Sequence, residues 1–592
     1  MAFSSDTSAG KLPMWRLFRM FLRILGPERN FFALAIIYGV GISLLSLATP
    51  ISVQMLINTV ANTGLAMPLI VLSASLFGLL LVSGLLNALR IHLMEIFGRR
   101  FYARMVAEIT LRSIYAQNPF FNDASRGALF NRYFDIVGVQ KAIPVLLIGG
   151  FTVILQAAVG FVLVSLYHPL FLVFNLVLVG LIWLIWAVLG RSAIRSAIAL
   201  SHAKHNTAAW LETLGASDGF FKSEKRVNFA LDNTDAYTAT YIKEHRRHFR
   251  RHFAQSLSYL FLYAAASAAL LGLGGWLVIQ GQLTLGQLVA AELVLSAAFF
   301  GVSQLGIYLN YFYDLCAAVE ELHLFYEVEQ EEPVGDDPIA GRDHTLIFKQ
   351  KRGTARGGRV TLDLTIPSHT AVMASASDHG VQRLFTNLLK RHAEADSGLI
   401  TLGGIDLLDL NVQSLRQSIQ VIDRDTFIGA TIREYLGLAI ERGQSNLMIQ
   451  ALETVGLSSV IASLQDGLDT EIAPTGWPLS SAEIMQLKLA YVLIVKPKIL
   501  IMNQLFDLVS EEPLAKAIAE LRTTSETTII YFTNRQTDLG FDSFVHFEAD
   551  KQTTFDNHET FCKSVHGIMP RQMIPSILVN NLPEGSLPAD KE

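Results

Sequence analysis

Six apolar stretches dominate the first half of the chain: FFALAIIYGVGISLLSLATP, PLIVLSASLFGLLLVSGLL, VLLIGGFTVILQAAVGFVLVSLY, PLFLVFNLVLVGLIWLIWAVLG, LFLYAAASAALLGLGGWLVI and LGQLVAAELVLSAAFFGVSQLGIYL. Each is long enough to cross roughly 30 Å of hydrocarbon as a helix. The links within successive pairs (ANTGLAM, YHP, QGQLT) are short and carry no Lys or Arg. The alternating links are long and basic, with Arg99, Arg100, Arg104, Arg112, Arg126, Arg132 and Lys141 in one and Arg191, Arg195, Lys204, Lys222, Lys225, Arg246, Arg247, Arg250 and Arg251 in the other. The positive-inside rule therefore puts both termini and both long links in the cytoplasm. Both links are rich in helix formers, so the spans are expected to continue beyond the membrane as helices.

Ahead of the first span, LPMWRLFRMFLRILG gathers Arg16, Arg19 and Arg23 on one helical face, with Trp15, Phe18, Leu22 and Leu25 across the others. That pattern reads as an interfacial helix or as an ordinary amphipathic helix. After the sixth span, YEVEQEEPVGDDPIAGRD is acidic and punctuated by Pro and Gly, as a linker is. From residue 345 the period changes. Short apolar strands (VTLDLTI, TAVMAS, LITLGG, IQVID, KILIMN, TIIYFTN) alternate with helical patterns (VQRLFTNLLKR, AEIMQLKLAYVLIV, EPLAKAIAELRTT), which predicts an α/β domain.

Composition agrees with a membrane portion: 51% of the 592 residues are hydrophobic and the mean hydropathy is +0.37, too apolar for a soluble enzyme of this length. The net charge of -5 and the lack of a dense basic tract give no reason to expect nucleic acid as a partner. The two cysteines, Cys316 and Cys562, fit neither a disulfide framework nor a metal site, and no metal is expected from this pattern. Glu292 lies inside the sixth span, where an ionisable group is costly unless it faces a cavity or a partner. With Ser296 and Ser303 it lines up at helical spacing, either as a polar stripe along a substrate pathway or as a group bonded within the bundle.

Nucleotide chemistry in the α/β half would need a Gly-rich turn, a Lys, a Ser or Thr and an Asp for magnesium, and a Glu to activate water. The chain from about residue 14 to 560 resembles an ABC exporter half-transporter, a six-helix membrane domain fused to an ATP-binding cassette. NPFFNDASRGALFNRYFDI is similar to the family's first cytoplasmic loop, placing Phe120 and Phe121 in a coupling helix, and HNTAAWLETLGASDGFFKSEK to the second, with Glu212. IQGQLTLGQLVA and SGLITLGGIDLLDLNVQSLRQSIQVI are also familiar stretches, and LATPISVQMLINTV resembles the type 1 secretion and peptide exporters. The implied organisation is an elbow helix (1–30), a six-helix transmembrane domain with two long coupling loops (31–325), an acidic linker (326–344), a cassette (345–565) and a flexible tail (566–592).

Carried over position by position, the cassette's chemical residues are replaced. In the Walker A stretch SASDHGVQRL, Ser375 and Asp378 stand for glycines, Gly380 remains, Val381 stands for the phosphate-binding Lys and Gln382 for the magnesium-binding hydroxyl. Arg424 takes the Q-loop position, and LSGGQ reads LSSAE with Ser480, Ser481, Ala482 and Glu483. Walker B ends in Asn503 and Gln504, Ser510 takes the D-loop Asp position, and the switch His is Asn534. No aromatic stands at the adenine-stacking place in FKQKRGTARGG. Val381 and Asp378 make the phosphate site about two charges more negative, and at an effective dielectric near 20 a unit charge at 4 Å is worth roughly 4 kcal/mol before screening. That is half of the roughly 8 kcal/mol in a micromolar affinity.

The resemblance therefore implies a cassette without ATP or magnesium as cofactors and without catalytic residues. It implies a protein of the plasma (bacterial inner) membrane acting as the ATPase-deficient subunit of a heterodimeric exporter. The alternative is an ATP-independent homodimer or accessory subunit serving as scaffold, receptor or regulator with secretion or envelope proteins.

Overall fold

The computed structural model describes residues 14–63, 66–117, 128–217, 219–331, 343–355, 358–393, 396–440 and 445–568, together with Gly335. The chain separates into two compact units, Met1–Glu331 and Glu332–Glu592, with the division inside the acidic linker.

The first unit is helical. It contains α1 (Met14–Leu25), α2 (Arg29–Leu45), α3 (Ala48–Thr63), α4 (Ala66–Ile114), α5 (Asp135–Pro144), α6 (Phe151–Ser165), α7 (Pro169–Gly215), α8 (Glu224–Ile279) and α9 (Leu285–His323). Six helical stretches among the described residues are long and apolar enough to cross a membrane. At about 1.5 Å per residue the 47-residue α7 is roughly 70 Å long, more than twice the hydrocarbon thickness, so these helices extend well beyond a bilayer. A π-helical turn at Val145–Gly150 joins α5 to α6. Here Gly149 and Gly150 let the Tyr308 ring of α9 lie against the backbone, since a Cβ at Gly149 would meet ring atoms at 2.5 Å.

In α1 the apolar residues split between two faces. Leu17 and Ile24 are buried within the unit, whereas Trp15, Phe18 and Leu22 are exposed. The Arg19 guanidinium lies 4.4 Å from the Trp15 ring centroid. An exposed apolar face bordered by arginines is what an interfacial helix presents.

The second unit is α/β. Its six-stranded sheet runs β12-β11-β3-β10-β9-β6, built from β3 (Ala371–Ala376), β6 (Ile419–Ile422), β9 (Ile499–Met502), β10 (Thr528–Phe532), β11 (Ser543–Phe547) and β12 (Gln552–Phe555). β12 is antiparallel to its neighbour and the others are parallel. Every residue of β9 and β10 is buried, as strands covered on both faces require. A four-stranded antiparallel sheet, β2-β1-β4-β5, uses β1 (Leu346–Ala355), β2 (Gly358–Ile366), β4 (Ser397–Leu402) and β5 (Ile405–Asp406), and β7 (Ala430–Thr431) pairs with β8 (Glu471–Ile472). Helix α10 (His379–Leu389) follows β3, and its buried Phe385 stacks 5.1 Å from Phe348 of β1 and meets Phe547 of β11 at 5.3 Å, joining the two sheets. Helices α11 (Ser481–Val495) and α12 (Glu511–Thr524) flank β9 in sequence.

Close helix packing in the first unit rests on small residues. A Cβ at Gly301 would sit 2.3 Å from Val153, whereas one at Gly180 meets nothing within 4 Å. Gly301→Leu is therefore expected to destabilise the protein by about 1–3 kcal/mol, the usual cost of overpacking. Thermal unfolding in detergent checks this, with Gly180→Leu expected to leave the midpoint unchanged.

Candidate functional site

In an open parallel sheet, ligands bind beyond the carboxyl ends of the strands, where turns lead into helices. The turn after β3 holds only Ser377 and Asp378. Ser375 is still inside the strand, opposite His546 of β11, and its Oγ lies 2.7 Å from His546 Nδ1, both groups buried. The Ser377 N–H donates to the Phe547 carbonyl at 2.9 Å. The first N–H of this turn is thus engaged by the sheet. Asp378 is the exposed residue at the N-terminus of α10, where the helix dipole favours an anion. One residue before Val381, Gly380 belongs to the first turn of α10, and Val381 points into the core with 2% of its surface exposed.

Gln382 is also buried, and its Oε1 accepts a 2.8 Å hydrogen bond from Gln504 Nε2. Neighbouring Asn503 caps the 3-10 turn Gln504–Leu508: its Oδ1 accepts from the Leu505 N–H at 3.1 Å, and its Nδ2 donates to the Asp423 carbonyl at 3.0 Å. Both amides use their NH₂ groups as donors, a role no ionised carboxylate can take. The two carboxamides therefore stitch β9 to α10 and to the segment after β6.

Three residues on, Asp507 organises the end of β10. Its carboxylate accepts from the Tyr531 hydroxyl at 2.5 Å, the Thr533 hydroxyl at 2.6 Å and the Asn534 N–H at 3.0 Å. Burial and this carboxylate push the Tyr531 phenol well above its usual range. Arg535 lies 3.6 Å from the same carboxylate and donates to the carbonyls of Phe506, Asp507 and Val509. The Asn534 side chain itself is exposed.

The segment holding Arg424 is tied to α11. Lys488 Nζ donates at 2.7 Å to the carbonyls of both Arg424 and Thr426, and burial pushes its ammonium pKa down. The Ser481 hydroxyl donates to Asp425 at 3.2 Å. At the start of α11, Ser480 and Glu483 form a reciprocal capping box, with Glu483 Oε2 accepting from the Ser480 N–H at 2.7 Å and from its hydroxyl at 2.8 Å. Ala482, between them, is half-buried in the first turn. Each of these two helix N-termini, of α10 and α11, thus carries a carboxylate from its own chain.

In the first unit, Ser296 donates to Glu292 at 3.1 Å within α9, and the Ser303 hydroxyl turns back to the Phe300 carbonyl. Glu292 is bonded inside its own helix, and Glu292, Ser296 and Ser303 are all half-buried. Glu212 is exposed near the end of α7, and Phe120 and Phe121 lie outside the described residues.

The residues missed in the sequence are Lys488, Asp507, Arg535 and His546, together with Arg90, which is 2% exposed in α4 and donates to Thr152 at 2.5 Å. Lys488 and Arg90 had a readable signal, a lone cation inside an apolar helical run.

The sequence profile of the ABC transporter transmembrane region matches residues 32–214. Over 564 residues the chain is 25% identical to the ABC multidrug transporter mdr2 of Aspergillus fumigatus, covering 89% of this chain and 68% of that protein. It is 27% identical to the uncharacterized ABC transporter ATP-binding protein YwjA of Bacillus subtilis, over 43% of this chain and 46% of the relative. It is 24% identical to the beta-(1→2)glucan export ATP-binding/permease protein NdvA of Agrobacterium vitis, over 45% and 47%. The chain thus spans about half the length of these last two relatives. Its fold superposes on a bacterial Atm1-family ABC exporter with ATP bound at a TM-score of 0.78, with 15% identity, covering 90% of this chain and 97% of that one. The chain is a multi-pass membrane protein with an ABC exporter fold, a six-helix transmembrane domain followed by an α/β domain.

Just beyond α10, burial together with Arg416 and Lys390 pushes the His392 imidazole down to about 4. The folded domain holds this ring neutral, while the unfolded chain binds the proton near pH 6.5. Its contribution to stability is therefore complete above about pH 6.5 and is lost as the pH falls towards 4. Denaturant titrations across that window are expected to show a shallower acid loss for His392→Gln than for the wild type; equal slopes would refute the assignment.

Proposed function

We propose that this ABC-exporter-like membrane protein is the ATPase-deficient subunit of a transmembrane export system, with a cassette that binds neither Mg²⁺ nor ATP in the manner of its relatives. The observation that carries the reading is the bond between Gln504 and Gln382. Magnesium needs hard oxygen ligands in a site whose charge offsets its own. By the resemblance, its hydroxyl ligand and the adjacent catalytic carboxylate belong at these two positions, which here are neutral amides bonded to each other. Asn503 brings no charge to a metal, Gln504 cannot take a proton from water, and the buried Val381 offers no ammonium to a phosphate.

In this reading the fold is kept for assembly. The protein sits in the plasma (bacterial inner) membrane with both termini and the cassette in the cytoplasm, beside a second half-transporter that supplies the reaction. A further reading, an ATP-independent homodimer or accessory subunit acting as scaffold, receptor or regulator, gains support from Glu483. A partner's nucleotide would have to approach the N-terminus of α11, where that carboxylate is already bonded.

Equilibrium binding of Mg-ATP to the purified full-length protein in nanodiscs, with oligomeric state recorded on the same sample, tests the proposal. No binding up to millimolar nucleotide and background ATPase activity are expected, whereas saturable micromolar binding would overturn it. A nucleotide-free monomer would favour the heterodimeric subunit, and a nucleotide-free homodimer the second reading. The single reversal Gln504→Glu is expected to leave hydrolysis at background, because the lysine and magnesium positions stay unfilled.

A further inference from the structure

Where α5, α7 and α9 meet in the first unit, a cluster of ionisable side chains around the buried Asp135, His205, Glu320 and Glu321 is assembled from distant parts of the chain. Asp135 opens α5, His202, Lys204 and His205 lie on α7, and Glu320 and Glu321 are adjacent on α9. His205 Nε2 is 2.6 Å from Asp135 Oδ2, whose other oxygen accepts from Lys204 at 2.9 Å. His202 Nε2 is 2.9 Å from Glu320 Oε2, and Arg132 Nε donates to Glu321 Oε2 at 2.5 Å.

One atom is left over. Glu321 is 0% exposed, and its Oε1 has no hydrogen-bond partner. It faces His202 Nε2 at 3.7 Å and His205 Nε2 at 4.0 Å. Those distances are too long for hydrogen bonds, but they approach the separation of two ligand atoms around one metal. With bonds of about 2.0–2.1 Å in a tetrahedron, ligand atoms stand about 3.3 Å apart. His202, Glu320 and Glu321 each bring a ligand atom within 4.8 Å of the others.

We propose that this cluster is a binding site for one divalent transition-metal ion, held by His202 Nε2, Glu320 Oε2 and Glu321 Oε1, with water completing the coordination. Imidazole and carboxylate donors without a thiolate suit an ion of the zinc class. Arg132, bonded to Glu321 Oε2, orients the carboxylate whose other oxygen faces the site, and Asp135 holds His205 beside it. A metal held here pins α7 to α9.

The test uses the tag-free full-length protein in nanodiscs, stripped with a chelator and titrated with Zn²⁺ and, separately, Co²⁺. One ion per chain is expected, with intensified visible cobalt bands of a tetrahedral site. The substitution His202→Gln is expected to weaken Zn²⁺ binding at least about 10-fold, and Glu321→Gln to do the same. His245→Gln, elsewhere on α8, is the control and should bind as the wild type does. No stoichiometric binding at micromolar free metal, or equal binding by His202→Gln, would overturn the site. If that variant fails to fold, the wild-type cobalt spectrum decides: weak octahedral bands like those of the aqueous ion would also overturn it.

Discussion

The bond between the side-chain amides of Gln382 and Gln504 ties β9 to α10 at the carboxyl edge of the six-stranded sheet, where each group must find its partner within the unit. An ionised carboxylate only accepts hydrogen bonds, whereas a carboxamide also donates. Gln504 and Asn503 use that extra capacity towards α10 and towards the Asp423 carbonyl. With Asp507 holding the end of β10 and Lys488 holding the backbone at Arg424, the segments around this edge are fixed by contacts from within the unit itself.

The membrane unit answers a different constraint. Hydrocarbon supplies no hydrogen bonds, so the spanning backbone must be helical, and helices packed side by side in lipid gain most where small residues let them approach. Gly149, Gly160 and Gly301 mark such approaches, to Tyr308, Val294 and Val153. Beyond the apolar band the same helices carry charge, and the cluster of Asp135, His202, His205, Glu320 and Glu321 is where three of them meet.

What could be read from the sequence followed how locally each feature is encoded. The six spans show as apolar runs, and β3, β9 and β10 with their following helices show as short aliphatic runs and amphipathic repeats, because both depend on neighbouring residues. The unusual residues at Asn503 and Gln504 were visible for the same reason. Their bonding was not, since Gln382 and Asp423 come from other parts of the chain. Glu292 was visible as a charge in an apolar run, and its bond to Ser296 a turn away shows only in the coordinates. The histidine–carboxylate cluster left no signature, because its members come from three helices between residues 135 and 321.

Glu483 can be viewed as a competitive ligand that is covalently attached. Held three residues from Ser480, it meets the N-terminus of α11 at an effective concentration of at least the order of millimolar. A free anion at cellular concentrations starts at a disadvantage, and raising its concentration does not dilute the competitor. The strength of that competition is set by the length of a tether, so an incoming anion would meet the same competitor at any protein concentration.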